Sequence, residues 1–176
     1  MNQADLQRRA RAVRMIVFDV DGVLTDGSLF FGDDGQEYKA FNSRDGHGIK
    51  MLRASGVESG IITGRTSQVV LHRARNLGIT RIHQGAEDKL EAFAALLANC
   101  GLDAGQIAYM GDDVVDLPVL RRCGLAVTVP DAPEEVKARC HLVTRAAAGR
   151  GAAREACELI MRAQGNWAAQ LALYDR

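Results

Sequence analysis

The feature that most constrains this chain is a repeated pairing. Short apolar runs end abruptly in acidic, hydroxyl or glycine residues, and longer helical patterns separate them. Met15-Ile-Val-Phe18 is continuously apolar and stops at Asp19. Ser59-Gly-Ile-Ile-Thr63 stops at Gly64, Ile107-Ala-Tyr-Met110 runs into Gly111-Asp112-Asp113, and Leu125-Ala-Val-Thr-Val129 stops at Pro130. A run without polar alternation suits a strand buried on both faces, as in a parallel sheet. Residues 81–83 and 141–144 are weaker runs of the same kind. Between them, apolar residues recur at helical spacing: Ile49 and Leu52 after Asp45, residues 69–77 before Gly78, residues 90–97 after Asp88, and a final helix over 155–164. The alternation predicts an α/β fold with a doubly wound parallel sheet. At 176 residues the expectation is one domain spanning 1–176.

One segment breaks the rhythm. Gly27-Ser-Leu-Phe-Phe-Gly32, Asp33-Asp34-Gly35 and Gln36-Glu-Tyr-Lys-Ala-Phe41 read as a β-hairpin over residues 27–41, because Asp-Gly is a strong hairpin-turn signal. It falls just after the first strand, where a helix is expected. With the helix that follows, it fills most of the chain between Asp21 and Thr63, so no cap domain fits there. Leu29, Phe30, Phe31 and Phe41 give the hairpin a large apolar load, which predicts an interface.

Composition excludes several classes. Lys+Arg 22 against Asp+Glu 22 gives zero formal charge, which speaks against a bulk electrostatic grip on nucleic acid or an anionic membrane. The first 14 residues carry four arginines and no apolar stretch, so they do not read as a secretory signal. No run approaches the ~20 apolar residues of a membrane helix. The four cysteines (Cys100, Cys123, Cys140, Cys157) form no Cys-x-x-Cys pair and read as reduced thiols of a cytoplasmic protein.

In a doubly wound sheet, ligands bind at the carboxyl ends of the strands. Those ends deliver Asp19 and Asp21, then Thr63, and then Asp112, Asp113 and Asp116. Lys89 opens the helix after the 81–83 run. Carboxylates a few ångströms apart cannot all stay ionised unaided, and a hard divalent cation such as Mg²⁺ resolves their repulsion. A metal beside one free carboxylate suits attack on a phosphoryl group. In this reading Asp19 attacks, while Asp21 protonates the leaving oxygen and later activates water. Thr63 and Lys89 hold the phosphoryl oxygens, over which transition-state charge spreads. A non-catalytic phospho-acceptor of the receiver type also gathers acids, a Thr and a Lys at strand ends. Its acidic pair lies on strand one and its phosphorylated Asp on strand three, a different layout from Asp19-Val-Asp21 followed by a late Gly-Asp-Asp.

Asp19-Val-Asp21-Gly-Val-Leu-Thr25, Ile61-Ile-Thr63-Gly-Arg65, Lys89 and Gly111-Asp112-Asp113-Val-Val-Asp116 resemble the four motifs of the haloacid dehalogenase superfamily phosphatases. Residues 39–50 and the stretch Gly149-Arg150-Gly151-Ala-Ala-Arg154-Glu155 are similar to the capless sugar-acid phosphatases of that superfamily, a match running from about Arg14 to Trp167. The resemblance implies Mg²⁺-dependent hydrolysis of 3-deoxy-D-manno-octulosonate 8-phosphate through an aspartyl-phosphate, in lipopolysaccharide precursor biosynthesis. The alternative within the family is a nine-carbon sialic-type sugar acid phosphate. Arg65 favours the eight-carbon acid, because the sialic-type relatives carry an acidic residue there. The resemblance further implies Mg²⁺ on the Asp19 carboxylate, the Asp21 main-chain carbonyl and the Asp112 carboxylate. It implies substrate contacts from Asp21, Asn42, Ser43, Arg44, Asp45, Gly46, Lys50, Arg65, Arg73, Lys89 and Asp113. Arginine forks suit a substrate carrying both carboxylate and phosphate. A homotetramer, with hairpins packed together and a neighbour covering each site, is implied too, and the tail over 166–176 is expected to add to that cover. Two details are departures or open points. Ala148 stands where the family's turn usually has glycine, so a shifted turn is expected. His47, between two glycines, reads as a turn residue.

Overall fold

The computed structural model describes residues 2–175; Met1 and the tail's last residue, Arg176, lie outside them. Its centre is strand β1 (Met15–Phe18), all four residues of which are fully buried. Parallel strands flank it: β4 (Glu58–Ile62) and β5 (Arg81–His83) on one side, β6 (Ile107–Met110), β7 (Leu125–Thr128) and β8 (Leu142–Val143) on the other. The six-stranded order is β5-β4-β1-β6-β7-β8. The chain winds outward on one side of β1 and then crosses to the other, which makes the carboxyl edge beside β1 the switch point where such sheets bind ligands. Phe18 pairs with Ile61 of β4 and Met110 of β6. That register brings Asp19, Thr63 and Asp112 to one edge of the sheet.

The sheet is flanked by helices α1 (Gln3–Ala12), α2 (Ser43–Ala54), α3 (Gln68–Leu77), α4 (Lys89–Cys100), α5 (Leu117–Leu120), α6 (Glu134–Lys137), α7 (Ala152–Ala163) and α8 (Trp167–Ala172). α2 and α1 pack on α7, while α4 packs on α5 and β4. Gly78 ends α3 at φ 73°, a left-handed conformation that glycine adopts without strain. No helix among the described residues is long and apolar enough to cross a membrane.

The hairpin is present but short. β2 (Phe30–Phe31) pairs antiparallel with β3 (Glu37–Tyr38) around a turn closed by Gly32 and Gln36, with Gly35 at φ 79°. Leu29, Phe30, Phe31 and Tyr38 are 45–57% exposed. Between Asp21 and Thr63 the only elements are this hairpin, α2 and β4.

Three local expectations are corrected. The last long helix starts at Ala152 rather than 155: Gly151 is its N-cap residue, and the Asp45 carboxylate, from a distant segment, accepts the amides of Gly151 and Arg154. It is also not the final helix, since α8 follows. Around Ala148 the left-handed positions fall on Gly149 (φ 60°) and Gly151 (φ 115°), and no described non-glycine residue has positive φ. His47 is not in a turn. It sits within α2, with its ring edge-on to Tyr174 at 5.2 Å.

Candidate active site

Asp19 follows β1 directly and is 7% exposed. Its Oδ1 accepts from the Val20 amide at 2.6 Å and its Oδ2 from Lys89 Nζ at 2.5 Å. Lys89 is the first residue of α4, a helix capped by Asp88, so the helix start fixes where the ammonium enters the sheet edge. The same ammonium donates to Asp116 Oδ1 at 2.7 Å. Asp116 is fully buried. Its Oδ1 also receives Tyr109 Oη at 2.6 Å, and its Oδ2 accepts the amides of Asp112 (3.0 Å) and Asp113 (3.2 Å). The loop reaches Asp116 only because residue 111 is glycine: a β-carbon there would lie 2.4 Å from Asp116 Cγ.

Burial is the main electrostatic cost. It raises the Asp19 carboxyl to about 6, helped by the Asp116 charge and opposed by Lys89. Burial, and then the charges of Asp19 and Asp116, raise Asp112 to about 7. Burial alone depresses the Lys89 ammonium, but Asp116 and Asp19 overcome that and raise it.

Carboxylate oxygens of Asp19, Asp112 and Asp116 lie within 4.8 Å of one another. Asp116 is already saturated by an ammonium, a phenol and two amides, which disfavours it as a metal ligand. Asp112 is the opposite case: its Oδ1 is buried without a hydrogen-bond partner. An orphaned buried carboxylate oxygen facing a second carboxylate is a site shaped for a hard cation, which would supply the missing partner and cancel the repulsion. The donor set therefore fits Mg²⁺.

Thr63 is buried at the same edge; its amide donates to His83 O at 2.9 Å, and its carbonyl accepts from Ala86 N at 3.1 Å. Arg65 is half exposed, with Nε 3.8 Å from Asp21 Oδ2 and its guanidinium over the Phe31 ring at 5.6 Å. Asp113 is exposed and turns back to cap the 3₁₀ turn of residues 114–116, accepting from Val114 N at 2.7 Å.

The remaining predicted substrate residues form a separate group. Asn42 caps α2, accepting from Arg44 N at 2.8 Å and Asp45 N at 3.3 Å, and its carbonyl accepts Arg73 Nη2 at 3.1 Å. Asp45 is buried, with one oxygen accepting the Gly151 amide just before α7 and the other the Arg154 amide in its first turn. Ser43 and Arg44 are exposed on the first turn of α2. Lys50, Ser43, Gly46 and Arg73 line a cavity of about 230 Å³ that contains none of Asp19, Asp21, Lys89 or Asp112. Within one chain, then, the structure gathers the catalytic-type residues but leaves Lys50 and Arg73 in a cavity of their own.

Three contributors were not singled out from the sequence. Lys39 and Glu37 reach Asp21 and Arg65 from the hairpin, and Tyr109 braces Asp116. The available signals were two opposite charges at i and i+2 on the second arm of the hairpin, and the one polar-tipped residue in the buried strand β6.

A parallel sheet whose switch point holds Asp19, Lys89, Asp112 and Asp116 in this arrangement defines a hydrolase of the haloacid dehalogenase type. The model of the haloacid dehalogenase-like hydrolases matches residues 78–155. A 3-deoxy-D-manno-octulosonate 8-phosphate phosphatase of Yersinia pestis is 47% identical over 160 residues, covering 91% of this chain and 86% of that protein. Its Escherichia coli K12 counterpart is 46% identical over 162 residues, covering 92% and 86%. The chain belongs to this family, the 3-deoxy-D-manno-octulosonate 8-phosphate phosphatases of the haloacid dehalogenase-like hydrolases. Among solved structures, the Moraxella catarrhalis phosphatase of that name, in complex with magnesium, phosphate and the sugar acid, superposes with a TM-score of 0.96 at 39% identity, over 98% of this chain and 99% of that one. A probable YrbI family phosphatase of Pseudomonas syringae gives 0.97 at 52% identity, over 99% of both chains.

Proposed function

We infer that the chain hydrolyses 3-deoxy-D-manno-octulosonate 8-phosphate to the free sugar acid and phosphate, with Mg²⁺, as a step in lipopolysaccharide precursor synthesis. The observation that carries this reading is Asp19 held by Lys89 beside the orphaned oxygen of Asp112. Relatives of matching length that bear this activity in their names support the eight-carbon acid over a nine-carbon one. A receiver-type phospho-acceptor does not share this family.

The placement supports the following residue roles. One Asp19 carboxylate oxygen attacks phosphorus. The bond from phosphorus to the sugar oxygen breaks as Asp21 gives that oxygen its proton, leaving an aspartyl-phosphate. Water then attacks phosphorus, Asp21 takes its proton, and the bond to Asp19 breaks to release phosphate. Lys89 and Thr63 hold phosphoryl oxygens, and Lys89 keeps Asp19 ionised for attack despite burial. When bound to the carboxylates of Asp19 and Asp112 and the Asp21 carbonyl, Mg²⁺ neutralises charge on the phosphoryl group. Arg65 reads the sugar carboxylate.

The second group, Asn42 to Gly46 with Lys50 and Arg73, is assigned to substrate as a set completed between protomers, in which Asp45 acts by clamping α2 to α7; Asp113 is assigned to substrate from the Asp112 edge. The exposed hairpin residues Leu29, Phe30, Phe31 and Tyr38 support a homotetramer in which hairpins pack together. A cytoplasmic location fits four free cysteines.

Phosphate release from a panel of sugar-acid phosphates, with Mg²⁺ and with chelator, tests the reading. The expected result is preference for the eight-carbon acid and loss of turnover with chelator and in Asp19→Asn. No release from any member of the panel overturns it.

A further inference from the structure

The hairpin does more than carry apolar surface. Glu37 and Lys39 are two residues apart on its second arm, so their side chains leave the same face, while Tyr38 between them points the other way and is 57% exposed. The inward pair closes a ring of alternating charge. Lys39 Nζ donates to Asp21 Oδ1 and lies 3.1 Å from Glu37 Oε1. Glu37 Oε1 lies 3.4 Å from Arg65 Nη2, and Arg65 Nε lies 3.8 Å from Asp21 Oδ2. The Lys39 side chain has no exposed surface at all. An ammonium taken wholly out of water costs several kcal/mol unless it is paired, so the chain has spent that cost on one placement: against the Asp21 carboxyl. Glu37, with a side chain 14% exposed, plays the matching part for Arg65, and Phe31 of the first arm lies against the same guanidinium.

We propose that Lys39 and Glu37 are positioning residues of the active site: Lys39 aims the Asp21 carboxyl at the leaving oxygen, and Glu37 holds the Arg65 fork at the substrate carboxylate. The hairpin is thereby part of the active-site wall of its own protomer as well as an assembly surface. The proposal rests on the phosphatase reading. It assigns work to two residues that neither touch the phosphoryl group nor bind metal. The two contributions are separable by chemistry. A general acid matters most when the leaving group is a poor one such as a sugar alkoxide, and little when it is a nitrophenolate. A held guanidinium matters only for a substrate that carries a carboxylate.

The test compares kcat/KM, which reports the first chemical step, on 3-deoxy-D-manno-octulosonate 8-phosphate and on p-nitrophenyl phosphate. Lys39→Met is expected to lose about 100-fold on the sugar phosphate and at least tenfold less than that on the aryl phosphate, the size of a misaimed acid. Lys39→Arg, which keeps the charge, should recover most of the loss. Glu37→Gln should raise KM for the sugar acid phosphate about tenfold, more than it lowers kcat, with no comparable change in KM for the aryl phosphate. Light scattering on each variant checks that assembly is retained. Equal losses on both substrates, or failure of Lys39→Arg to recover activity while Glu37→Gln leaves KM unchanged, would overturn the proposal. If Lys39→Met does not fold, the Glu37→Gln and Lys39→Arg results decide alone. Wild-type protein inactive on both substrates would instead sink the phosphatase reading itself.

Discussion

The carboxylate of Asp45 accepts hydrogen bonds from the amides of Gly151 at 3.1 Å and Arg154 at 2.8 Å, 106 and 109 residues further along the chain. These amides open α7, and a carboxylate there satisfies donors that a helix leaves unpaired. Burial raises the Asp45 carboxyl, while the two amides and nearby arginines oppose the rise. With both oxygens occupied, Asp45 clamps α2 to α7.

Asp45→Ala is therefore expected to lower stability by about 2 kcal/mol, the upper range for a helix cap with buried donors left behind. Asp45→Asn should cost less. Urea denaturation checks both, and KM measured on the folded protein should stay near wild type if Asp45 does not touch substrate.

Gly22 passes under Asp112 with φ +83°, and a β-carbon on it would lie 2.0 Å from Asp112 Oδ2. Gly22→Ala should cut activity by at least ~100-fold through displacement of that carboxylate. Gly27→Ala is the control. Gly27 has nearly the same φ, +82°, but its nearest neighbours lie at 3.6 Å, so the same backbone strain displaces no acid. Phosphate release by the two variants, with circular dichroism to confirm folding, separates strain from site geometry.

Asp19 at about 6 and Asp112 at about 7 both lie above the ordinary 3.8. A carboxyl raised by folding stabilises the fold fully below its unfolded pKa and loses that contribution as pH rises through its folded pKa. In metal-free protein these two groups thus become a liability between about pH 4 and 7. Mg²⁺ competes with the same protons, so the rise in Tm on adding Mg²⁺ should grow from about pH 5 to about pH 8. Asp112→Asn should abolish most of that rise. Thermal melts with and without Mg²⁺ at both pH values check the expectation.

Tyr109 donates to Asp116 Oδ1 at 2.6 Å, the oxygen that also receives Lys89. The phenol is fully buried, and burial, then the charges of Asp116 and Asp19, push its pKa well up, so it acts only as a donor. Tyr109→Phe keeps the ring and removes that donor. Stability should fall by about 1 kcal/mol, and kcat should fall more than KM rises, because Lys89 is then drawn further toward Asp116 and away from Asp19. Steady-state kinetics on the folded variant provide the check.

The apolar runs made β1, β6 and β7 legible, because strands buried on both faces leave no alternation to confuse. The ends of β1 and β6 made Asp19 and Asp112 legible, and the start of the helix after the 81–83 run made Lys89 legible, since the sheet order carries all three to one edge. Asp45's cap on α7 was not legible, because the partner lies 106 residues away and no local pattern records it. Lys39 was missed for a related reason. A lysine on a hairpin reads as solvated, and only the folded-back arm shows that its ammonium is buried against Asp21. The helix over Gln3–Ala12 escaped because its first residues are polar and its apolar face is thin: Ala10 is its one fully buried residue.

Leu29 and Phe30 are 45% and 54% exposed on a hairpin that stands beside the active site. A monomer gains nothing from displaying them, whereas a tetramer would bury them at about 25 cal/mol per Å². Leu29→Ser with Phe30→Ser leaves Phe31 against Arg65 and leaves the Lys39 and Glu37 contacts intact. The double variant is therefore expected to fold with a near-normal dichroism spectrum and to scatter light as a smaller species. If Lys50 and Arg73 of a neighbour complete the substrate site, its kcat/KM on the sugar acid phosphate should fall at least ~10-fold while turnover of p-nitrophenyl phosphate falls less. Wild-type efficiency in a proven monomer would mean that each chain needs no neighbour and that the cavity lined by Lys50 and Arg73 serves some other purpose.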